Sequence, residues 1–315
     1  MNKFYIGMDI GGTNIRVAVL DEKKKFISNV VKMPFKKSGT AEEDVENNIC
    51  IPLMQVIKNN DLDFRNARGL GLSLAAIFDR NSGTIIKWPN NQLWNSFPLK
   101  NYLMNRLNIA VVMEDDANCA AIGEHMTGAG KGCANFAYIT ISTGIGCGLI
   151  LNDRLYTGAY GCAGEIGHVR VENNGPLCTC GMKGCLQAVA SGPALYKRSI
   201  ELAGNAGIGS EDIPDLIKTV HFAQEGADWA VTVFEEAGKH IAYMIAYLVM
   251  ILDLPLIVLG GGVLQAKDVI LNPIRRNLAS HLEQFKKKIE VRTAALGDNS
   301  GIVGAINLIY KNDGV

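Results

Sequence analysis

The chain has no excess of charge of either sign, since its 315 residues contain 31 Lys and Arg and 31 Asp and Glu. This balance argues against nucleic acid or an anionic membrane as the main partner, because both attract basic surfaces. The sequence also lacks a basic leader followed by an apolar core and a cleavage site. Its longest apolar run, residues 241–260, is interrupted by Asp253 and Pro255, which is more typical of a helix followed by a buried strand than of a membrane span. We therefore expect a cytoplasmic protein.

The length and the cysteine content bound the fold further. A chain of 315 residues is long for one hydrophobic core and suits two domains. In a cytoplasmic protein the eight cysteines should be mostly reduced thiols. Five of them are scattered, and we expect small buried apolar residues there: Cys50, Cys119, Cys133, Cys147 and Cys162.

Two Gly-rich turns, each between two apolar strand-like segments, stand about half a chain apart. They contain Asp9, Gly11, Gly12, Thr13 and Asn14 in the first turn and Thr143, Gly144 and Gly146 in the second. Glycine lets backbone N–H groups approach an anion closely. Either turn alone could be a hairpin without a ligand, but the pair favours phosphate binding and a duplicated α/β protein. Neither turn has the P-loop pattern or a G-x-G-x-x-G that opens a helix.

A pair of carboxylates, Asp115 and Asp116, follows the apolar segment IAVVME and precedes a predicted helix over residues 116–126. Ligands of α/β proteins bind at the carboxyl ends of strands, where such a carboxylate can act as a general base on a hydroxyl that attacks phosphorus. Helix capping is the competing interpretation and is favoured on spacing alone. Only the neighbouring phosphate turns make the catalytic interpretation competitive.

A cluster of three thiols and one imidazole predicts a metal site: His168, Cys178, Cys180 and Cys185. Four such ligands fill tetrahedral zinc, so the spacing predicts a structural metal without an open position. A disulfide is disfavoured by the expected compartment and by the closeness of Cys178 to Cys180. We favour zinc over unligated buried thiols and over a nucleic-acid-binding zinc knuckle, since the flanks are not basic.

Glu165 lies three residues before His168. If His168 binds zinc through one ring nitrogen, its other nitrogen is free to meet a ligand or a hydrogen-bond acceptor. Glu165 would then face the same cleft. The alternative is a surface glutamate without a role.

Together these segments resemble the ROK family of bacterial sugar kinases and repressors. The resemblance rests on DIGGTNIRVAV, EDDANCAAIGE, STGIGCGLILNDRLYTGAYGCAGEIGH, GPLCTCGMKGCLQ and IVLGGGV, in this order along nearly the whole chain. It implies an α/β, two-lobed, actin-like ATPase (ribonuclease H-like) fold with a ligand cleft. The expected smaller lobe comprises residues 1–117 and 302–315, and the expected larger lobe, residues 118–301, carries the zinc loop.

The resemblance also implies roles for individual residues. Asp116 would be the general base that takes the proton of the sugar's primary hydroxyl. The expected sugar contacts are Asn90, Asp115, Glu165, His168 and Gln187. The residues expected at ATP and Mg²⁺ are Asp9, Gly11, Gly12, Thr13, Asn14, Thr143, Gly144, Gly261 and Gly262. The expected zinc ligands are His168, Cys178, Cys180 and Cys185.

The chain departs from the family pattern at four places. It has Asp115 where Asn is usual, Ala75 and Ala76 where Pro-Gly is usual, Ser142 for Gly, and Gln187 for Glu. All but Ser142 lie at expected sugar-contact positions, where exchanging amide and carboxylate changes which hydroxyls are favoured. We therefore expect a hexose other than plain glucose. The preferred substrate is D-allose, with glucose and N-acetylmannosamine as alternatives.

Some ROK proteins are repressors with an N-terminal helix-turn-helix. The first predicted strand here starts at about residue 4, so we expect an enzyme rather than a DNA-binding regulator. The expected activity is an ATP:hexose 6-phosphotransferase with ATP, Mg²⁺ and structural Zn²⁺, working as a homodimer. A sugar-sensing protein without catalysis and a catalytic metal are the other hypotheses.

Overall fold

A computed structural model describes residues 3–23, 25–89, 91–213, 215–286 and 289–312, with only the backbone described for residues 311 and 312. The strands within these ranges are β1 (Phe4–Ile10), β2 (Asn14–Asp21), β3 (Val31–Pro34), β4 (Ala67–Leu74), β5 (Ile77–Phe78), β6 (Ile85–Lys87), β7 (Ala110–Glu114), β8 (Phe136–Ile141), β9 (Ile145–Leu151), β10 (Arg154–Tyr156), β11 (Leu256–Gly260) and β12 (Glu290–Thr293). The α-helices are α1 (Ala41–Val45), α2 (Ile51–Asn59), α3 (Leu99–Leu107), α4 (Asp116–Thr127), α5 (Leu186–Ala190), α6 (Gly192–Asn205), α7 (Leu216–Gln224), α8 (Asp228–Leu252), α9 (Asp268–Leu282) and α10 (Ser300–Asn312). Asn90, one of the expected sugar contacts, lies outside the described residues.

Two five-stranded sheets share one topology. The first has the order β3-β2-β1-β4-β7 and the second the order β10-β9-β8-β11-β12. In each sheet the first three strands are antiparallel neighbours, and the remaining two run parallel to the central strand. Each sheet therefore contains one of the two hairpins seen in the sequence, and the expected duplication of an α/β unit is found in the strand order.

The chain divides into two compact units. Unit 1 comprises Met1–Lys131 and Asp298–Val315, and unit 2 comprises Gly132–Gly297. From the sequence we expected the first lobe to comprise residues 1–117 and 302–315. The observed division differs because α4 packs against α10, its most extensive partner, and so stays with unit 1.

Both faces of the unit 1 sheet are covered. Apolar side chains of β1, β2 and β4 pack on one face with residues of α1, α2 and α3. On the other face, Ile302, Ile306 and Ile309 of α10 pack against Tyr5 and its neighbours. Because β1 is buried on both sides, its sequence FYIGMDI shows no alternation of polar and apolar residues.

Glycines allow α10 to approach the sheet and α4 at backbone distance. A Cβ built on Gly71 of β4 would lie 2.1 Å from the carbonyl oxygen of Ala305. A Cβ built on Gly304 of α10 would lie 1.7 Å from the carbonyl oxygen of Cys119 in α4. Real Cβ atoms do not come this close to backbone atoms, so both positions require glycine.

The core of unit 2 lies between its sheet and the long helix α8. Ile241, Ile245 and Val249 of α8 are buried together with Ile257 and Leu259 of β11. The helix ends at Asp253, which caps it with a left-handed backbone (φ 54°), two residues before Pro255. The apolar run in the sequence is therefore a helix followed by a buried strand, as predicted. None of the helices in the described ranges is long and apolar enough to cross a bilayer.

Substituting Gly304 by alanine should destabilise unit 1. The added methyl group forces α10 away from α4, and overpacking of this kind costs about 1–3 kcal/mol of unfolding free energy. Gly204, near the end of α6, is the matched control, because a Cβ there meets nothing within 4 Å. Urea unfolding should show a lower midpoint for Gly304→Ala and an unchanged or higher midpoint for Gly204→Ala. Equal midpoints for the two variants would contradict the close approach of the helices.

Candidate active site

Four carboxylates lie at one edge of the unit 1 sheet. The register of the parallel strands pairs Asp9 with Ser73 and Ser73 with Glu114, so these residues follow one another across β1, β4 and β7. Asp115 and Asp116 come directly after β7. The carboxyl ends of parallel strands meet at this edge, which is where ligands of open α/β sheets bind.

Asp9 is held by two donors. Ser73 Oγ donates to one carboxylate oxygen at 2.8 Å, and Arg16 Nη1 donates to the other at 3.0 Å. Arg16 also donates through Nη2 to Asp298 at 2.6 Å. Burial raises the pKa of Asp9, although Ser73 and Arg16 act in the opposite direction. Because both oxygens already accept hydrogen bonds, the arrangement suits contact with a hydrated cation better than direct coordination.

Arg16 and Ser73 were missed at the sequence level, although a signal for Arg16 existed. Asp9 and Arg16 are cross-strand partners in the β1–β2 hairpin, whose register follows from a tight turn at residues 11–13. Opposite charges at paired positions on one sheet face attract each other. Ser73 had no such signal, since β1 and β4 are far apart in sequence.

The first Gly-rich turn is closed by the backbone. Gly11 N–H donates to the carbonyl oxygen of Asn14 at 2.9 Å, and Asn14 Nδ2 donates to Thr13 Oγ1 at 3.3 Å. A Cβ on Gly11 would lie 3.3 Å from the same Asn14 oxygen. Thr13 is exposed, so its hydroxyl can meet a ligand at the edge where Asp9 lies.

Asp115 and Asp116 have different structural roles. Asp115 is the N-cap of α4, and its carboxylate accepts hydrogen bonds from the backbone N–H groups of Ala117 at 3.0 Å and Asn118 at 3.4 Å. Asp116 is the first residue of the helix and is half-buried, with Oδ1 2.7 Å from the N–H of Ala117. The capping interpretation therefore holds for Asp115, and a helix N-terminus stabilises the negative charge of Asp116.

Glu114 connects the end of β7 to its surroundings and was not predicted from the sequence. Its buried carboxylate forms a bidentate ion pair with Arg80, one bond of which measures 2.7 Å. It also accepts hydrogen bonds from the N–H of Asp115 at 2.8 Å and from Asn118 Nδ2 at 3.0 Å. These four bonds fix the turn that presents Asp115 and Asp116.

A second buried carboxylate fixes the segment that begins at Asn91. Asp44 of α1 is fully buried and accepts hydrogen bonds from Asn91 Nδ2, from Trp94 Nε1 at 3.1 Å and from the N–H of Ser38. The described residues on the carboxyl side of Asn90 are therefore held against α1. The role of Asn90 itself stays a prediction.

The second Gly-rich turn lies at the corresponding edge of the unit 2 sheet. Ser142 N–H donates to the Gly144 carbonyl oxygen at 2.9 Å, and the Ser142 carbonyl oxygen accepts from Gly192 N–H at 2.8 Å. Gly261 follows β11 with φ 92°, and a Cβ there would lie 2.4 Å from the carbonyl oxygen of Ile141. Thr143 and Gly144 thus lie near Gly261 and Gly262, because β8 and β11 are parallel neighbours.

The four predicted metal ligands converge. All four ligand atoms lie within 4.8 Å of one another: His168, Cys178, Cys180 and Cys185. Cys180 Sγ and Cys185 Sγ are 3.7 Å apart, and Cys178 Sγ is 3.7 Å from His168 Nδ1. Zinc–sulfur bonds of about 2.3 Å put two sulfurs of a tetrahedral site about 3.8 Å apart, so the donor set and its spacing fit zinc.

The thiols of the cluster differ in their acidity. Burial raises the pKa of Cys178, but hydrogen bonds from the Cys180 backbone, from His168 and from other neighbours outweigh it and lower that pKa to about 6. Burial, together with hydrogen bonds to Cys180 and Cys178, raises the pKa of Cys185 to about 12. A bound divalent cation would favour the thiolate form of every sulfur, since the thiolate is the ligand.

The two ring nitrogens of His168 face different ways. Nδ1 faces Cys178, while Nε2 lies 3.9 Å from a carboxylate oxygen of Glu165. The side chains of His168 and Glu165 are 39% and 59% exposed, so both remain accessible. Gly167 between them packs on β9, where a Cβ would lie 2.2 Å from the carbonyl oxygen of Ile145. Glu165 thus lies beside the ring nitrogen of His168 that faces away from Cys178, and the expected contact of both residues with a sugar stays a prediction.

Gln187 lies in α5, directly after Cys185 and Leu186. Its Nε2 donates to Thr179 Oγ1 at 3.2 Å and to Cys178 Sγ at 3.5 Å. Its Oε1 lies 3.4 Å from the position that a Cβ on Gly144 would occupy. The side chain therefore extends from the thiol cluster to the second Gly-rich turn.

Known proteins are similar to this chain over nearly its whole length. A glucokinase of Thermotoga maritima is 30% identical over 317 residues, which cover 98% of each chain. An N-acetylmannosamine kinase of Haemophilus influenzae is 30% identical and covers 95% of this chain and 93% of its own. The crystal structure of a ROK family glucokinase from Streptomyces griseus, in complex with glucose and AMPPNP, superposes with a TM-score of 0.83 at 33% identity and covers 98% of this chain and 99% of that one. The profile of the ROK family matches residues 5–312, and the chain belongs to this family, with its actin-like ATPase fold.

Proposed function

We propose that the chain is a sugar kinase that transfers the γ-phosphoryl group of ATP to the 6-hydroxyl of a free hexose. The observation that carries the proposal is the position of Asp116, at the carboxyl end of β7 and at the first turn of α4, on the sheet edge that also carries Asp9. The relatives named above are a glucokinase and an N-acetylmannosamine kinase, which supports a kinase of hexoses.

In this proposal Asp116 is the general base. Its carboxylate accepts the proton of the primary hydroxyl as that oxygen attacks the γ-phosphorus, and the bond from phosphorus to the bridging oxygen of ADP breaks. Phosphoryl transfer needs positioning and charge stabilisation more than covalent chemistry from the protein. The hydrogen bonds of Glu114 and the cap by Asp115 supply the positioning of Asp116.

The nucleotide residues are assigned to the two Gly-rich turns and to the two glycines that follow β11. In unit 1 these are Asp9, Gly11, Gly12, Thr13 and Asn14, and in unit 2 they are Thr143, Gly144, Gly261 and Gly262. Bound Mg²⁺ would neutralise charge on the phosphates. Asp9 would hold it through water, because Ser73 and Arg16 occupy its two oxygens.

The sugar residues are assigned to Asn90, Asp115, Glu165, His168 and Gln187. The pair of His168 Nε2 and the Glu165 carboxylate offers a donor and an acceptor 3.9 Å apart, a spacing that suits recognition of sugar hydroxyls. Two further residues of this set have described contacts within the protein. The Asp115 carboxylate is engaged in capping α4, and Gln187 faces a thiol.

The identity of the hexose rests on the departures from the family pattern. These led to the expectation of D-allose, which receives no support from the relatives named above, since these are named for glucose and N-acetylmannosamine. The proposal is therefore a hexose kinase, with glucose, N-acetylmannosamine and D-allose as the substrates to compare.

The thiol cluster is proposed to hold a structural Zn²⁺. Four protein ligands complete the tetrahedral coordination of the ion, so the metal would stabilise the loop at residues 168–185 and would not bind substrate. His168 would then join the metal through Nδ1 and the sugar through Nε2. The homodimer expected from the sequence stays a prediction.

Asp116→Asn should abolish turnover. A coupled assay of ADP release over a panel of aldohexoses and N-acetylmannosamine should show activity of the parent with at least one sugar. In the variant, kcat should fall at least about 100-fold, because an amide does not accept the proton. Asp228→Asn, at the first residue of α8, is the matched control and should retain activity. A parent that binds a sugar by calorimetry but consumes no ATP would contradict the kinase and favour a sugar sensor.

Arg80→Met should lower kcat about tenfold or more while the KM for ATP changes little, because the Glu114 side chain loses the bidentate partner that fixes the Asp116 turn. Arg80→Lys keeps the charge but not the bidentate geometry and should restore part of the activity. Arg65→Met removes an exposed ion pair with Asp63 and is the control. Equal losses of kcat for Arg80→Met and Arg80→Lys, with unchanged unfolding midpoints, would argue against a positioning role.

The purified chain should contain about one zinc ion per chain, since the donor set offers one tetrahedral site. Cys185→Ser should lose most of this zinc in elemental analysis after dialysis, because a buried serine hydroxyl is a poor zinc ligand. Cys133→Ser should keep it, since that thiol lies outside the cluster and contacts the carbonyl oxygen of Asn135. Loss of zinc from both variants would show that the cluster alone does not hold the ion.

A further inference from the structure

The amide of Gln187 is oriented toward the metal cluster. Its nitrogen lies 3.5 Å from Cys178 Sγ and 3.2 Å from Thr179 Oγ1. A thiolate accepts hydrogen bonds and donates none, so the NH₂ group must face the sulfur and the amide oxygen must face away. The oxygen indeed faces Gly144 and Gly167, at 3.4 and 3.3 Å from the Cβ positions of these glycines.

The surroundings hold this orientation. The second N–H of the amide is used by Thr179 Oγ1, and Gly144 and Gly167 leave room for the oxygen because neither has a side chain. Gln187 belongs to α5, which begins directly after the ligand Cys185, so the helix that starts at the cluster also carries the donor to the cluster. Such partners of ligand atoms orient the ligand and adjust its affinity for the metal.

We propose that Gln187 donates a hydrogen bond to the Cys178 thiolate of the zinc-bound cluster. This bond slows the loss of zinc and holds the cluster against the second Gly-rich turn. This inference rests on the proposed zinc site and gives the glutamine at position 187 a role at the metal. An amide can donate to a thiolate, whereas a carboxylate in the same position adds a second negative charge beside the sulfur.

The test measures the rate at which the protein releases zinc, and kinase activity is measured separately. Full-length parent, Gln187→Met, Gln187→Glu and the control Gln224→Glu, at the exposed end of α7, are loaded with zinc and mixed with a chromogenic chelator. Met keeps the length of the side chain but removes the hydrogen-bond donor. Glu keeps the shape but places a negatively charged acceptor beside the sulfur. We expect zinc release about tenfold faster or more for both Gln187 variants, with Glu the faster, and the parental rate for Gln224→Glu.

The outcomes separate the two proposals. Parental release rates for both Gln187 variants overturn the inference, and a changed sugar preference in Gln187→Glu at that unchanged rate would assign the residue to sugar recognition alone. A parent that holds no zinc overturns both the zinc site and this inference. Failure of the kinase proposal shows instead as absence of sugar-dependent ADP release from the zinc-loaded parent. Far-UV circular dichroism of each variant distinguishes loss of zinc from loss of the fold.

Discussion

The close backbone approach of α10 to its neighbours is the constraint on which the rest of unit 1 depends. Gly304 lets α10 contact α4 at Cys119, and Gly71 lets the same helix lie directly on β4. The next glycine along α10, Gly301, brings the start of this helix to the carboxylate of Asp9, where a Cβ would be 3.2 Å from Oδ1. Because α4 begins with Asp116, the packing of α10 against α4 and Asp9 also determines where the candidate base lies with respect to Asp9.

The sequence predicted those features that arise from neighbouring residues. The two hairpins at Asp9 and at Thr143 were visible because a strand, a Gly-rich turn and a second strand follow one another directly. In the structure, both hairpins belong to the antiparallel part of five-stranded sheets with corresponding strand orders. The carboxylates after β7 and the cluster of three thiols and one imidazole were visible for the same reason, since the four side chains of the cluster fall within 18 residues, 168–185. Local patterns thus sufficed for the duplicated α/β unit, the two turns and the convergence of these four side chains, while the actin-like fold class came from the family resemblance.

Features that depend on distant residues could not be predicted. Glu114 meets Arg80 across 34 positions of sequence, and Asp44 meets Trp94 across 50. A lone Arg or Asp in a sequence offers many possible partners, and only the packed fold selects one of them. The same holds for the division into units, since the extent of unit 1 follows from the packing of α4 on α10 rather than from any signal near residue 117.

Two departures from the family pattern acquire local explanations. Asp115 caps α4, a role that Asn fills equally well, so the exchange of Asn for Asp leaves the helix start intact while adding a charge beside Asp116. Gln187 donates to a sulfur, which glutamate cannot do. If the proposed zinc site holds His168 by Nδ1, the ion fixes the direction in which Nε2, the proposed sugar contact, points. In the proposed zinc site, a donor to Cys178 such as the Gln187 amide would therefore act on the orientation of His168 as well as on the ion.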